Sequence, residues 1–294
     1  MNMDIEKPGA LRHRDVCRRF DRAAATFDQV DFVHRHAAKG LFERMSPMLL
    51  NVERILDAGA ATGTASRALA RHYRRSHVLS LDSSMCMLKR AKRARSRFAA
   101  IAELQADAAG LPLQAGSVDL VFANMLLPWI DDLPAFFAGI GRVLRKDGLL
   151  VFSTLGPDSL DQLRQAWSAV DREEHVNAFI DMHDVGDALV KAGLREPVLD
   201  VDYLTVTYRS PEALFNDLAL AGARNSLERR RQTLTGKGRF REMQRALAEA
   251  FGEGPLSLRL ELVFGHAWGR GQASGQTSPG EIRFDVSQIG RRSR

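Results

Sequence analysis

The sequence predicts an α/β fold: a doubly wound, mostly parallel sheet of seven strands, with helices ahead of it and a helical insertion between the last two strands. Three observations predict it. Short apolar runs suited to buried strands alternate regularly with helical stretches between residues 54 and 156. That alternation is the mark of parallel strands joined by right-handed crossovers. Acids, glycines and an asparagine fall at the ends of the apolar runs, where open α/β sheets hold their ligands.

Residues 13–49 read as helical, with Val16, Phe20, Ala24 and Phe27, then Val33, Ala37, Leu41 and Phe42 at helical spacing. The first five strands are "RILDAG" (54–59), "HVLSLD" (77–82), "IAELQAD" (101–107), "VDLVFAN" (118–124) and "LLVFSTLG" (149–156). The helices between them are "TASRALARHYRR" (64–75), "MCMLKRAKRARSRF" (85–98) and "LPAFFAGIGRVLRKDG" (133–148). Helices follow at about 158–170 and 182–192, then a strand at 197–208. Residues 210–252 read as two helices around the basic loop "ARNSLERRRQTLTGKGR", and 256–268 alternate as a last strand. The expected organisation is a flexible N-terminus (1–12), a helical cap (13–50), the α/β domain (51–268) and a Gly/Ser-rich, disordered basic tail (269–294).

The 294 residues, 45% of them hydrophobic, are ample for one large domain with a full core. No apolar run reaches the roughly 18 residues of a spanning helix. The first residues mix both charges and lack the apolar centre of a secretory signal. The two cysteines, Cys17 and Cys86, make neither a disulfide framework nor a metal-type spacing, so no metal is expected and a reducing cytoplasm is the simplest location. The formal net charge of +6 suits an acidic partner.

The loop after the first strand, "ILDAGAATG" (55–63), carries the chemistry. A dinucleotide site wants G-x-G-x-x-G with pyrophosphate on the following helix. Here the spacing is Gly59-Ala60-Ala61-Thr62-Gly63, and Asp57 would repel a pyrophosphate. An acid there suits a cationic ligand; S-adenosylmethionine carries an ammonium and a sulfonium and no phosphate. Asp82, ending the second strand, stands where an acid hydrogen-bonds ribose hydroxyls. Asp107 follows the third strand and Asn124 ends the fourth.

"ILDAGAATG" resembles motif I of the class I S-adenosylmethionine-dependent methyltransferases, which have a Rossmann-like fold and whose usual form is hydrophobic-D-x-G-x-G-x-G. "LSLDSSMCML" resembles their second motif, and "LQADAAGLPLQAGSVDLVFANMLLPW" the segment where an acid meets the adenine amine and the fourth strand ends near the methyl group. The resemblance implies S-adenosyl-L-methionine as cofactor, held by Asp57, Gly59, Ala61, Gly63, Asp82, Ser83, Met87, Asp107, Ala108 and Asn124. Ala61 replaces the usual middle glycine, and its methyl disfavours positive φ and a close backbone approach.

The fourth-strand exit, Asn124-Met125-Leu126-Leu127, lacks the Asn/Asp-Pro-Pro-aromatic turn of enzymes that methylate base amines. No side chain stands out as a general base. That suits an acceptor already ionised, such as a carboxylate, with proximity supplying most of the rate. "VCRRFDRAAATFDQVDFVHRHAAKGLFERM", "LLVFSTLGPDSLDQLRQAW" and, most specifically, "DMHDVGDAL" and "LTGKGR" are similar to the malonyl-[acyl-carrier protein] O-methyltransferases of biotin synthesis, over roughly residues 13–269. This implies methyl esterification of the free carboxylate of a malonyl thioester on acyl-carrier protein, a small acidic partner.

Arg18 and Arg22, which share a helix face at i, i+4, are candidate clamps for that carboxylate, with Arg19 beside them. Arg229, Arg230, Arg231, Lys237 and Arg239 are candidates for carrier-protein docking, while the run Lys89–Arg97 reads as a solvated helix face. Phe27, Trp129 and Trp167 read as core aromatics, with lining of the thioester arm as the alternative. Three other readings stay open: a relative that assembles respiratory complex I and hydroxylates an arginine of a partner subunit, an RNA methyltransferase suggested by charge alone, and a non-catalytic carrier-protein adaptor suggested by Ala61.

Overall fold

In the computed structural model the described residues are 10–230, 233, 235–252 and 254–270. Seven strands form one sheet in the order β3-β2-β1-β4-β5-β7-β6. They are β1 (Arg54–Ala58), β2 (His77–Asp82), β3 (Ile101–Gln105), β4 (Val118–Asn124), β5 (Leu144–Leu155), β6 (Arg195–Tyr208) and β7 (Leu256–Trp268). The first five are mutually parallel, and β7 runs antiparallel between β5 and β6. The chain runs outward through β2 and β3, then returns to the other side of β1 to lay down β4. The strand order therefore reverses between β1 and β4, and a crevice opens there at the carboxyl ends.

Burial on both faces explains the continuous apolar runs. In β4, Val121 and Ala123 point into a core with Phe136, Phe137, Ile140 and Phe152. Leu120 and Phe122 point to the opposite face, with Leu41, Leu69 and Phe264. The crossover helices are α4 (Thr64–His72), α5 (Met85–Ala94) and α6 (Leu133–Val143). The last was expected to run to residue 148. It ends at Val143 because Leu144 is already extended, at φ −65° and ψ 135°, and pairs with Val118 as the first residue of β5.

The N-terminal helical run divides into three helices: α1 (His13–Ala23), α2 (Phe27–Val30) and α3 (Phe32–Met45). Thr26 sits at the break, its hydroxyl donating to the carbonyls of Ala23 at 3.1 Å and Leu220 at 3.0 Å. Helix α3 lies close on β7, since a Cβ at Gly40 would stand 2.8 Å from the Phe264 ring. Beyond β5 come α7 (Asp161–Ser168) and α8 (Met182–Lys191), and between β6 and β7 the insertion forms α9 (Pro211–Leu220) and α10 (Lys237–Glu249). Leu163 and Trp167 of α7, Leu214, Met243 and Leu247 of the insertion and Leu258 of β7 make a small core where the insertion packs on α7.

Cap and insertion are joined to each other. Leu11 pairs with Leu227 in an antiparallel bridge, Arg12 N–H donates to the Ser226 carbonyl at 2.9 Å, and Glu228 N–H donates to the Ala10 carbonyl at 2.7 Å. The expectation of a flexible segment through residue 12 is corrected here: Leu11 is buried with Val16 and Leu227. The tail expected from 269 is corrected at its first residue, since Gly269 bonds Asp147 and Gly148; residues 271–294 lie outside the described ones. Among the described residues no helix is long and apolar enough to cross a membrane.

Gly265 of β7 stands opposite Phe152 of β5, and a Cβ there would fall 2.2 Å from the fully buried Phe152 ring. Gly265→Ala should therefore overpack the sheet and lower stability by about 1–3 kcal/mol. Urea unfolding checks this; an unchanged midpoint would mean that the β5–β7 contact can open without cost.

Candidate active site

The loop after β1 is shaped by three left-handed residues: Gly59 at φ 75°, Ala61 at φ 46° and Gly63 at φ 74°. The N–H groups of Gly59 and Ala60 both donate to the Leu81 carbonyl, at 2.8 and 2.9 Å, which pins the loop to β2. Asp82 completes the attachment. One carboxylate oxygen accepts from Ala61 N–H at 2.9 Å and the other from Ser84 N–H at 2.8 Å. Burial pushes the Asp82 carboxyl up, against the lowering effect of those two donors. Ser84 caps α5 through Met87 N–H, and its own hydroxyl donates to Asp21 of α1 at 2.6 Å. Thr62 in turn donates to Asp28 of α2 at 2.6 Å. The cap is thus bonded directly to the loop and to the α5 N-terminus.

These elements enclose a cavity of about 300 Å³ at the switch point. Gly59, Ala61, Asp82, Ser83, Asp107, Ala108 and Asn124 all line it. Asp107 accepts from Ala109 N–H at 2.9 Å, and Asn124 accepts from the Ser153 hydroxyl at 2.8 Å while donating to the His34 carbonyl at 3.0 Å. The remaining expected contacts lie elsewhere. Asp57 is 1% exposed, sealed behind the loop by α4, where the Ser66 hydroxyl donates to it at 2.5 Å. Burial pushes its carboxyl up to about 7, so direct contact with a cationic ligand is not its arrangement. Gly63 faces away from the cavity, against Ala91 of α5. Met87 is fully buried beneath the loop, in a cluster with Ala23, Ala24, Phe27, Phe20 and the methyl of Ala61.

A second, larger cavity of about 490 Å³ lies between the cap and the insertion. Its wall is mostly apolar and includes Trp129 and Trp167, so both face a cavity; Phe27 lines the first one. The two cavities share His34, Met125 and Trp129. His34 is a site residue with no local signal in the sequence, since only the fold brings it to this neck. Burial depresses its imidazole to about 4, so it is neutral near pH 7. Its ring meets Phe27 edge-on, with centroids 4.9 Å apart.

The cationic groups of the second cavity are Arg19, Arg224 and Arg230. Arg18 and Arg22 are exposed and line neither cavity, which corrects their expected role. The cause is helical phase: Val16 and Ala23 are the buried residues of α1, and Arg19 lies between them at i+3 from Val16, so it turns inward and its neighbours outward. Arg230, expected on the docking surface, also turns inward and donates from Nη2 to Asp15 at 2.5 Å. Arg229, Lys237 and Arg239 are exposed, while Arg231 lies outside the described residues. Among the described residues no cluster of His, Cys, Asp or Glu could hold a metal.

A seven-stranded sheet with one antiparallel strand, a glycine-bounded loop and an acid at the end of β2 defines a methyltransferase-type fold, and residues 56–152 match the family described as a methyltransferase domain. Solved structures agree on the fold. A putative methyltransferase from Bacillus halodurans C-125 superposes with a TM-score of 0.57 at 17% identity, over 78% of this chain and 98% of that one. The match extends well past the domain in sequence. The chain is 43% identical over 259 residues to the malonyl-[acyl-carrier protein] O-methyltransferase of Methylovorus sp. (strain MP688), covering 86% of this chain and 88% of that protein. It is 37% identical over 288 residues to that of Halorhodospira halophila (strain DSM 244 / SL1), covering 97% and 98%. The chain belongs to the malonyl-[acyl-carrier protein] O-methyltransferase family.

Ala61 accepts the left-handed conformation because its N–H is held by Asp82 and its methyl is packed under the cap. Ala61→Gly relieves about 1–2 kcal/mol of left-handed strain. It also frees the unfolded chain by about 0.4–1 kcal/mol and loses about 0.8 kcal/mol of methyl burial. The net change should stay within about 1 kcal/mol. Ala61→Val puts a β-branched side chain at positive φ and should lose about 2 kcal/mol or more. Thermal unfolding of the pair checks this, and equal losses would show that the conformation is not the constraint.

Proposed function

We propose that the chain is an S-adenosyl-L-methionine-dependent carboxyl O-methyltransferase. It converts the free carboxylate of a malonyl group on acyl-carrier protein to its methyl ester, an early step of biotin (pimeloyl) synthesis. The observation that carries this is the pair of cavities meeting at His34, Met125 and Trp129, one lined by the loop and its acids, the other larger and mostly apolar, as a thioester arm requires. Identity at the level of the family extends over the cap and insertion that build the second cavity.

The first cavity fits the cofactor. Asp82 and Asp107 are its acids, a setting adverse to pyrophosphate and suited to a nucleoside bearing cationic groups. Each Asp82 oxygen accepts one backbone N–H, which leaves capacity for the ribose hydroxyls. Asp107 and Ala108 stand where the adenine edge would bind; the N–H groups of Gly59 and Ala61 are taken by Leu81 and Asp82, so these two residues can offer the amino-acid portion their carbonyls, as acceptors for its ammonium. Bound there, S-adenosylmethionine supplies an electrophilic methyl on sulfonium.

The chain's own task is to hold the acceptor and exclude water. A carboxylate is ionised at neutral pH, so no proton must be removed, and the depressed basicity of His34 is consistent with a site that needs no base. Esterification removes the charge, and the malonyl group then suits apolar acyl tunnels. Acidic carrier protein would dock on the exposed Arg229, Lys237 and Arg239, which belong to the insertion beside the larger cavity. Two free cysteines fit a cytoplasmic location.

With labelled cofactor, methyl transfer to malonyl-carrier protein is expected. No transfer despite intact cofactor binding would point instead to the arginine hydroxylase or adaptor reading. Asp82→Ala should weaken cofactor binding at least tenfold, about 1.4 kcal/mol; unchanged affinity in calorimetry would reduce Asp82 to a tie between loop and α5. Arg229→Glu combined with Lys237→Glu should raise KM for the carrier protein but spare a small malonyl thioester. An equal effect on both substrates would remove the docking role.

A further inference from the structure

We infer that Arg19, seconded by Arg230, is the clamp that recognises the acceptor's carboxylate; this rests on the carboxyl-methylation reading above. The two guanidinium groups line the same cavity, and among the described residues one carboxylate, Asp15, is ion-paired with them. Asp15 is taken by Arg230 Nη2 at 2.5 Å. Arg19 Nη1 and Arg230 Nε are both buried with no hydrogen-bond partner among the described residues. Glu174 and Asp217 also stand on the cavity wall, but neither forms an ion pair with Arg19 among the described residues. The cavity wall therefore carries two buried guanidinium donors that neither Asp15 behind it nor Glu174 and Asp217 on it match among the described residues. Burial, then the neighbouring Arg230 charge, pushes the Arg19 guanidinium downward against the raising effect of Asp15. Leaving such donors unmatched is costly, and an incoming carboxylate relieves the cost.

Position selects the carboxylate over other anions of the acceptor. Arg19 immediately precedes Phe20, which lines the cofactor cavity and meets Trp129 edge to face at 5.1 Å. Trp129 belongs to both cavities, so Arg19 stands near the neck where the methyl group must be delivered. The phosphate of a carrier-protein arm would lie at the far end of that arm. A guanidinium can grip a carboxylate with two parallel N–H donors and leave a lone pair of the reacting oxygen free. When the C–O bond to the methyl forms and the S–C bond breaks, the acceptor's negative charge and the sulfonium's positive charge disappear together. The neutral ester has then lost the ionic part of its hold on Arg19. The same group that selects the substrate thus favours release of the product.

The test compares the parent with Arg19→Met and Arg19→Lys, using malonyl- and acetyl-carrier protein. The parent should bind malonyl-carrier protein more tightly than the acetyl form. Arg19→Met should bind both alike and lose about tenfold to hundredfold in kcat/KM, with cofactor Kd and Tm unchanged. Arg19→Lys should recover part of the preference, since it restores the charge without the fork. If Arg19→Met keeps both the preference and kcat/KM within about threefold of the parent, the clamp is overturned while the methyltransferase reading stands. If Arg19→Met and Arg19→Lys both lose cofactor binding and Tm in step with turnover, Arg19 is structural and the clamp is again overturned. If the parent itself transfers no methyl to malonyl-carrier protein, the underlying reading falls and the clamp with it.

Discussion

The Asp82 carboxylate holds Ala61 of the β1 loop with one oxygen and Ser84 at the start of α5 with the other. The Ser84 hydroxyl then donates to Asp21 of α1, so a single acid at a strand end sets the loop, the α5 N-terminus and the seat of the cap. The larger cavity depends on the same chain of contacts, because α1 is also the wall that carries Arg19 and Asp15 and bonds Arg230 of the insertion. Hydrogen bonds to an ionised group are stronger than neutral ones. Burial makes the carboxyl costly to ionise, and two backbone donors offset that cost. Ribose hydroxyls would add donors to the same carboxylate.

Three of the polar contacts between the cap and the α/β domain gather at the crevice with different partners: Thr62 on Asp28, Ser84 on Asp21, and Asn124 on the His34 carbonyl. Each comes from the end of a different strand or the loop after it. The cap is therefore aligned with the crevice by Asn124, which lines the cofactor cavity, and by Thr62 and Ser84, each the chain neighbour of a residue that does, and the neck between the two cavities is set by α3 and the exit of β4. The acceptor wall is different in kind. It is built from the apolar core of the insertion, with Trp167 stacked on His175 at a centroid distance of 3.7 Å.

Much of this was legible in the sequence, and the reasons for the rest are specific. The strands read correctly because β4 and its neighbours are buried on both faces, so composition alone marks them. The strand-end residues read as a site because topology places all such ends at one crevice. Asp57 was misplaced because strand alternation sends it to the α4 side, where Ser66 waits, and a one-dimensional motif does not show which face a strand residue takes. The choice of Arg18 and Arg22 used their mutual spacing but not the phase set by Val16 and Ala23, which turns Arg19 inward. His34 and the inward turn of Arg230 come from long-range packing, for which a local pattern holds no information.

Ala61 also has a thermal consequence. Its methyl belongs to the cluster of Phe20, Phe27, Met87 and two alanines that lies between the loop and the cap. Any motion of α1 and α2 wide enough to admit the cofactor must wet that cluster, so opening carries a positive heat-capacity change. An apolar latch of this kind weakens on cooling, whereas the three polar ties beside it do not share that dependence. Opening of the cap should accordingly be governed by two fastenings that differ in their response to temperature, one of them including the alanine that stands where its wider class carries glycine.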